Sequence, residues 1–222
     1  MQKFATAAPI AAILNVPAGR IRFIAADQAD TTVEVLPADA SKGRDVKAAE
    51  QIEVAYADGV LRIQAPAAKN QYFGPSGSVD VTVQLPVGSR VEAKAADAEL
   101  RGVGRLGDVA FEAAQGTVGL DEAASARLTL LAGDIAVGRL GGDAEISTEK
   151  GDIRIAEAMR GTVTLRTQAG DLSVDAATGV SASLDAVTGY GRIHNALKNT
   201  DGVTDLTIHA TTSYGNITAR SL

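Results

Sequence analysis

The chain has 222 residues, a formal net charge of −6 and no cysteine. An acidic chain lacks the basic face that phosphate contacts need, so we expect no nucleic-acid partner. The absence of cysteine excludes disulfides, thiolate metal sites and a cysteine nucleophile. Small aliphatic residues and Gly dominate and aromatic residues make up only 4%, which favours thin stacked layers over a thick core. We expect one continuous β domain over residues 1–222.

Residues 1–17 are apolar enough to raise the question of a secretory signal. Pro9, Asn15 and Pro17 interrupt the apolar run, and no stretch reaches the length of a membrane span. The sequence therefore predicts neither a signal peptide nor a transmembrane segment. We expect a cytoplasmic location.

Residues 1–86 contain all six prolines and predict an N-terminal part rich in antiparallel hairpins. Strands are expected at 10–16 and 20–24 around a Pro-Ala-Gly turn, and again at 32–36. Another hairpin is predicted at 52–64, where Asp58-Gly59 separates two alternating runs. The charged stretch 37–51 is expected to be a solvated excursion with a single helical turn.

Residues 65–78 are rich in Pro and Gly and predict a loop. Tyr72 and Phe73 lie side by side on it. They either fold back over an edge of the core, which we prefer, or form the lip of a partner or ligand site.

From residue 87 to 222 the sequence repeats. Aligned on a turn glycine, successive units place Gly116, Gly133, Gly151, Gly170 and Gly189 at spacings of 17, 18, 19 and 19, and Ser213 takes that place in a longer last unit. A regular period of this length is typical of solenoids. We predict an all-β, single-domain β-solenoid, or two-layer β-roll, of stacked rungs of 17–24 residues, preceded by antiparallel hairpins. The rung that ends at Leu222 is expected to be the open terminal rung.

Within each unit, apolar residues alternate with polar ones and predict inward and outward rows. The inward row before the turn is Phe111, Leu128, Ile146, Leu165, Leu184 and Ile208. The inward row after the turn is Val118, Ile135, Ile153, Leu172, Ile193 and Ile217. The outward row is Glu112, Thr129, Ser147, Arg166, Asp185 and His209.

The Gly-Asp pair of the turns is the first candidate site. Asp134, Asp152 and Asp171 recur once per rung, and three stacked carboxylates would suit Ca²⁺, which takes oxygen ligands. The nine-residue glycine-rich repeat of calcium-binding β-rolls is missing. We therefore prefer a structural role, in which Gly supplies the unusual φ of the turn and Asp accepts hydrogen bonds from backbone N–H groups.

The second candidate site is a cluster of polar and aromatic residues near the C-terminus: Asp185, Tyr190, Arg192, His194, His209 and Tyr214. In an enzyme, Asp185 would orient His209 as a general base and Arg192 would hold an anion. The alternative is a Tyr-Gly variant of the turn with the two Tyr rings packed on each other. Two separated histidines make a poor metal site, and we expect no cofactor.

The repeated Thr-x-x-Gly-Asp-Ile/Leu units, the Leu-Pro-x-Gly turn at 85–88 and the closing Ser-Tyr-Gly-Asn-Ile at 213–217 resemble the bacterial β-strand-repeat family of candidate adhesins, also called the toast-rack domain. The chain is most similar to its stand-alone actinobacterial members, over nearly the whole length. The resemblance implies a β-solenoid-like domain of no established activity, and it supplies no catalytic residues. Relatives attached to membrane segments serve in envelope stress, whereas no such segment is found here.

Three functions remain open at this stage. The leading hypothesis is a non-enzymatic scaffold whose flat strand faces and open terminal rung bind a protein partner or a second copy. The second is an enzyme or small-ligand binder that uses the C-terminal cluster. The third is a calcium-stabilised adhesion module that uses Asp134, Asp152 and Asp171.

Overall fold

The computed structural model describes residues 1–66, 77–199 and 203–222. In these ranges the chain forms seventeen strands and one helix. They are β1 (Gln2–Ala5), β2 (Ala11–Asn15), β3 (Ala18–Ala26), β4 (Asp30–Pro37), α1 (Gly43–Gln51), β5 (Glu53–Ala57), β6 (Val60–Gln64), β7 (Val79–Pro86), β8 (Arg90–Ala132), β9 (Ile135–Leu140), β10 (Ala144–Ser147), β11 (Ile153–Ala158), β12 (Gly161–Ala169), β13 (Leu172–Ala176), β14 (Ala182–Tyr190), β15 (Ile193–Ala196), β16 (Leu206–Tyr214) and β17 (Ile217–Ser221).

The strands lie in two layers, and the chain passes from one layer to the other at its turns. The first layer runs in the order β5, β6, β2, β8, β10, β12, β16 and β14. The second runs in the order β1, β4, β7, β3, β8, β9, β11, β13, β17 and β15. β8 is long because it turns several corners of the solenoid and pairs in both layers. The predicted all-β solenoid is confirmed, and its sheet is open at both ends.

The core between the layers consists of stacked rows of aliphatic side chains. The predicted row after the turn is confirmed, because its members are paired neighbours in the order Val118, Ile135, Ile153, Leu172, Ile217 and Ile193. The row before the turn is confirmed for Leu128, Ile146 and Leu165. Each rung adds one residue to each row, so burial grows with stacking and no rung could bury its own apolar side chains alone.

The row before the turn changes register at the C-terminal end. Leu165 pairs with Ala210, whereas Ile208 pairs with Val163 and with Leu184. The alignment on Gly189 and Ser213 was therefore wrong by two residues. A shift of two keeps every side chain on its own face, so the alternation of apolar and polar residues is the same in both registers.

The last coil in the sequence is not the last coil in space. β16 pairs with β12 on one side and with β14 on the other, and β17 lies in the same way between β13 and β15. We call β16 and β17 the inserted coil, and β14 and β15 the end coil. The prediction that the rung ending at Leu222 is the terminal one was wrong, and the end coil takes that place.

The N-terminal part is partly as predicted. The 52–64 hairpin is confirmed as the antiparallel pair β5–β6. The hairpin expected from 10–24 is wrong, because β2 and β3 pair in parallel with strands of different layers. Pro17 and the residues after it thus form a corner of the solenoid and not a hairpin turn.

The excursion at 37–51 contains a longer helix than expected. α1 spans Gly43–Gln51 and packs against β4 and β7. Asp45 is buried and accepts a hydrogen bond from the backbone N–H of Ser78 at 3.0 Å. This bond ties the start of the helix to the residue that precedes β7. Over the described ranges, no helix is long and apolar enough to cross a membrane.

The N-terminal end of the solenoid is covered by short strands. β1 is the edge of the second layer and β5 the edge of the first. The rings of Phe4 and Tyr56 meet between them, with centroids 5.4 Å apart. Lys3 on β1 forms an ion pair with Asp30 at 2.5 Å, and Glu53 lies exposed on β5. Short strands with charged side chains and an aromatic closure are typical of a protected sheet edge.

Candidate functional site

The turns that join the two layers form a continuous ladder along one side of the solenoid. A Cβ built on Gly151 would lie 2.1 Å from the carbonyl oxygen of Gly133, and one built on Gly170 would lie 2.0 Å from that of Gly151. Both glycines have positive φ, 145° and 157°. The same close approach continues from Gly170 to Gly215 and from Gly215 to Gly191. Only glycine permits this backbone spacing.

A threonine three residues before each of these glycines closes the turn. Thr167 donates its hydroxyl to the carbonyl oxygen of Gly151 at 3.1 Å, and Thr212 donates to that of Gly170 at 3.1 Å. Thr188 donates to the carbonyl oxygen of Gly215 at 2.9 Å. The Thr of the Thr-x-x-Gly-Asp motif is therefore a contact between neighbouring coils.

The aspartates of the ladder accept hydrogen bonds from the backbone of the next coil. Asp134 accepts from the N–H of Asp152 at 2.8 Å, and Asp152 accepts from that of Asp171 at 2.7 Å. Asp171 accepts from the N–H of Asn216 at 2.7 Å, and the side-chain oxygen of Asn216 accepts from the N–H of Arg192 at 3.0 Å. The chain of bonds follows the spatial order of the coils, with the inserted coil before the end coil.

This arrangement gives each carboxylate a backbone partner. In the described part of the chain, no three His, Asp or Glu side chains are grouped so that they could hold a metal ion. Calcium binding by Asp134, Asp152 and Asp171 stays a prediction.

The inserted coil is fixed by an ion pair as well as by the ladder. Arg220 on β17 donates from Nε and from one terminal nitrogen to the two carboxylate oxygens of Asp175 on β13, both at 2.8 Å. Asp175 is buried, and the neighbouring carboxylate raises the pKa of Arg220 above its usual value. A planar two-point contact of this kind specifies which strand lies beside β13.

At the end coil, the rows of the core reach the surface. Leu172 and Ile217 are buried, yet Ile193, next in the same row, is 47% exposed. In the first layer Leu184 and Ala186 are only half-buried, although their row neighbours are fully buried. These side chains point into the core but lack a further rung to cover them.

The backbone of the end coil is open along most of its length, although the N–H of Ala182 at the start of β14 donates to the carbonyl oxygen of Lys198 at 3.0 Å. Within the described residues, β14 pairs only with β16, and β15 pairs only with β17. β14 is nine residues long and carries one charged residue, Asp185. Val187 on its outward face is 58% exposed. A long edge strand with apolar side chains and little charge is a template for pairing with another strand.

The tyrosines of the candidate cluster form a stacked pair beside this edge. The rings of Tyr190 and Tyr214 are parallel to within 4°, with centroids 5.1 Å apart. Tyr190 and Tyr214 pair directly across β14 and β16. Both rings are largely exposed. Tyr190 is part of the end coil, and one face of its ring is stacked on Tyr214. The exposed apolar surface of the end coil therefore extends from β14 to the turn that carries Tyr190.

The other members of the cluster are divided between two faces. His209 Nδ1 lies 3.4 Å from a carboxylate oxygen of Asp185, on the outward face of the first layer. His194 pairs with Thr218 in the second layer, and it faces outward there because its neighbour Ile193 continues the inward row. The structure thus brings Asp185 and His209 together and places His194 on the opposite side of the solenoid.

Four surface depressions of the described residues lie elsewhere. They have volumes of about 350 to 530 Å³ and lie on coils between residues 15 and 162. None is lined by a residue of the candidate cluster. Tyr72 and Phe73, the other predicted interaction residues, lie outside the described residues. The sequence places Ile193 in an inward row and predicts neither Ile193 nor Val187 as an interaction residue, because the repeat pattern does not mark the end coil as terminal.

Comparison with known families settles the relationship of the chain. The Toastrack DUF4097 family model matches residues 13–220. The chain belongs to the Toastrack family. No curated protein matches this Toastrack sequence.

Three solved structures resemble this Toastrack chain. A candidate cell adhesion protein from Clostridium sporogenes is 12% identical, with a TM-score of 0.41, and the match covers 100% of this chain and 98% of that one. A candidate adhesin from Bacteroides fragilis is 12% identical, with a TM-score of 0.47 and coverage of 98% and 95%. A candidate adhesin from Parabacteroides distasonis is 15% identical, with the same TM-score and coverage.

Proposed function

We propose that the protein is a non-enzymatic, adhesin-like interaction module that binds a protein partner by adding strands to its end coil. The observation that carries this proposal is the exposure of Ile193, a member of a core row whose other members are buried. A partner that continues the row would bury the Ile193 side chain and pair with the free edges of β14 and β15.

The two ends of the solenoid support this assignment by their difference. At the N-terminal end, β1 and β5 are short, carry Lys3 and Glu53, and enclose the contact between Phe4 and Tyr56. At the other end, β15 has four residues, as β1 has, but β14 has nine and carries Val187 exposed on its outward face. Strand addition gains main-chain hydrogen bonds along the edge and apolar contacts from alternate side chains.

The enzymatic alternative has less support. An enzyme site needs its acid, base and anion-binding groups within reach of one substrate. Asp185 and His209 meet on the first layer, whereas His194 lies on the second. The Asp185–His209 pair stays a prediction of a general base, and replacement of His209 by Gln without any effect on a detected activity would remove it.

The proposal is tested by capture with matched variants. Purified wild-type protein, Val187→Lys and Ile193→Lys would be used as bait, with Leu131→Lys as the control. Leu131 is 52% exposed and lies on β8, far along the chain from the end coil. The proposal expects a protein that is retained by wild type and by the Leu131 variant but lost by both end-coil variants. A partner retained equally by all four baits would show that binding uses another surface.

A further inference from the structure

We infer that the partner of the end coil is a second copy of the same chain, and that two solenoids join by their end coils in a closed dimer. This inference rests on the proposed function and names the occupant of its surface. It depends on three properties of the end coil: its two-strand shape, its charge and the contrast with the N-terminal end.

The shape of the end requires a partner with two strands. β14 is the open edge of the first layer and β15 that of the second, and exposed inward side chains lie on both, Leu184 on β14 and Ile193 on β15. A single extended peptide could pair with one of these strands and would leave the other layer open. A second end coil presents two strands with the same separation, because it is the same structure.

The charge of the end coil allows two copies to approach. Residues 182–196 contain one acidic residue, Asp185, and one Arg, Arg192, so their formal charge is zero with His194 neutral. The whole chain carries −6, so contact through its acidic surfaces would bring like charges together. Two end coils can therefore approach each other without net repulsion between like charges.

The contrast between the two ends determines the form of the assembly. A head-to-tail contact would place the end coil against β1 and β5 of the next copy and would extend into a filament. The N-terminal end is closed by the Phe4–Tyr56 ring contact and by the ion pair of Lys3 with Asp30. The end coil is therefore expected to pair with another end coil. An interface between two identical surfaces uses up both of them, so the assembly stops at a dimer.

The test is the mass of the protein in solution, measured by sedimentation over a wide range of concentrations. Wild type is expected to reach a mass of twice 22.7 kDa. Val187→Lys and Ile193→Lys each place a cation twice in a closed interface, and we expect each to weaken the dimer at least tenfold, since repulsion between like charges at an interface costs several kcal/mol and each 1.4 kcal/mol is tenfold. Leu131→Lys should leave the dimer unchanged.

A second measurement uses the absence of cysteine. Val187→Cys introduces a single thiol at the end coil, and Leu131→Cys introduces one at the middle of the solenoid. With a short bismaleimide, the Val187 variant should form a covalent species of twice the mass, and the Leu131 variant should not. The crosslink reports contact between two folded chains, so its result does not depend on whether the substitution changes stability.

Three results would overturn the inference. They are a wild type that stays monomeric at every concentration, a dimer that persists in both lysine variants, and a mass that keeps growing with concentration as a filament would. A strict monomer that still loses a captured protein on Val187→Lys substitution would refute the second copy but leave the proposed function intact. A strict monomer whose captured proteins are unaffected would refute both.

Discussion

Substitution of Asp152 separates a hydrogen-bonding role of the turn ladder from a calcium-binding one. Asp152 is exposed and accepts one hydrogen bond, from the backbone N–H of Asp171 at 2.7 Å. Asp152→Ala removes that acceptor and leaves the N–H to water, so we expect a loss of about 1 kcal/mol in the free energy of unfolding. For a chain of this size, that is a fall in Tm of about 2 to 4 °C.

Asp152→Asn is the matched control, because the amide oxygen can accept the same bond. The chain already contains this substitution in its ladder, where Asn216 accepts from the N–H of Arg192 at 3.0 Å. We therefore expect Asp152→Asn to lie within about 0.5 kcal/mol of wild type, as ordinary surface substitutions do. Thermal unfolding followed by circular dichroism measures all three proteins.

The calcium alternative makes the opposite prediction. An Asn in place of a Ca²⁺-binding Asp keeps an oxygen ligand but loses its charge, so Asp152→Asn would then weaken Ca²⁺ binding although it keeps the hydrogen bond. Calcium would raise the Tm of wild type, because a ligand that binds only the folded state stabilises it, and a chelator would lower it. A Tm of wild type that responds to Ca²⁺, together with an Asn variant that does not, would refute the hydrogen-bonding role argued from the ladder.

Three further outcomes follow from contacts in the fold. Gly151→Ala should lower the free energy of unfolding by more than about 3 kcal/mol, because its Cβ would lie 2.1 Å from a backbone oxygen at φ 145°. Gly179→Ala, with φ 82° and open space around it, should lower it by only about 1 to 2 kcal/mol. Chemical denaturation measures both. Arg220→Gln should lower the Tm more than Arg127→Gln, because Arg220 pairs with buried Asp175 while Arg127 lies in an exposed pair with Glu145; equal effects would contradict the inserted coil. The hydroxyl of Ser41 holds the pKa of Asp39 at about 2, below its usual 3.8, so the stability it gives is complete above pH 3.8 and is lost as the pH falls toward 2; NMR titration should show this pKa rising in Ser41→Ala.

Much of the fold could be predicted from the sequence, because the inward residues of a solenoid recur in the sequence at a nearly fixed period. The row from Val118 to Ile193 is continuous in the structure, and the strand boundaries follow the Gly-Asp turns. These features are local to each unit. They can be read without any knowledge of which unit lies beside which.

The register at the C-terminal end could not be read from the apolar pattern, because Gly189 and Gly191 are two residues apart and give the same alternation. The threonine of the motif carries the missing signal. Thr188 lies three residues before Gly191, as Thr167 does before Gly170, whereas Ala186 occupies that position before Gly189. The hydroxyl must reach the carbonyl oxygen of a neighbouring turn glycine, so it marks the true turn.

The order of the last two coils was beyond the reach of the repeat pattern for a different reason. Every rung offers equivalent rows to its neighbours, so the rows alone do not decide whether the coil of Leu172 is followed by that of Ile193 or of Ile217. The decision lies in contacts that occur once, above all the pairing of Arg220 with Asp175. Asn195 continues the inward row of Val174 and Ala219, and its side-chain oxygen accepts a hydrogen bond from the N–H of Leu197 at 3.0 Å, so a polar residue in this inward row is a further feature that occurs once.

The insertion of the C-terminal coil also explains why an exposed edge persists at the end of this solenoid. β16 and β17 are paired on both sides and bury Ile208 and Ile217 almost completely. Within the described residues, the end coil gains one partner strand in each layer, and its other edge is unpaired apart from the bond between Ala182 and Lys198, so it contributes less to stability than a central coil does. Substitutions there, such as Val187→Lys, should therefore cost the fold little while changing what the surface can bind. The proposed binding edge thus lies on the least buried coil of the core, where a substitution removes the fewest contacts of the fold.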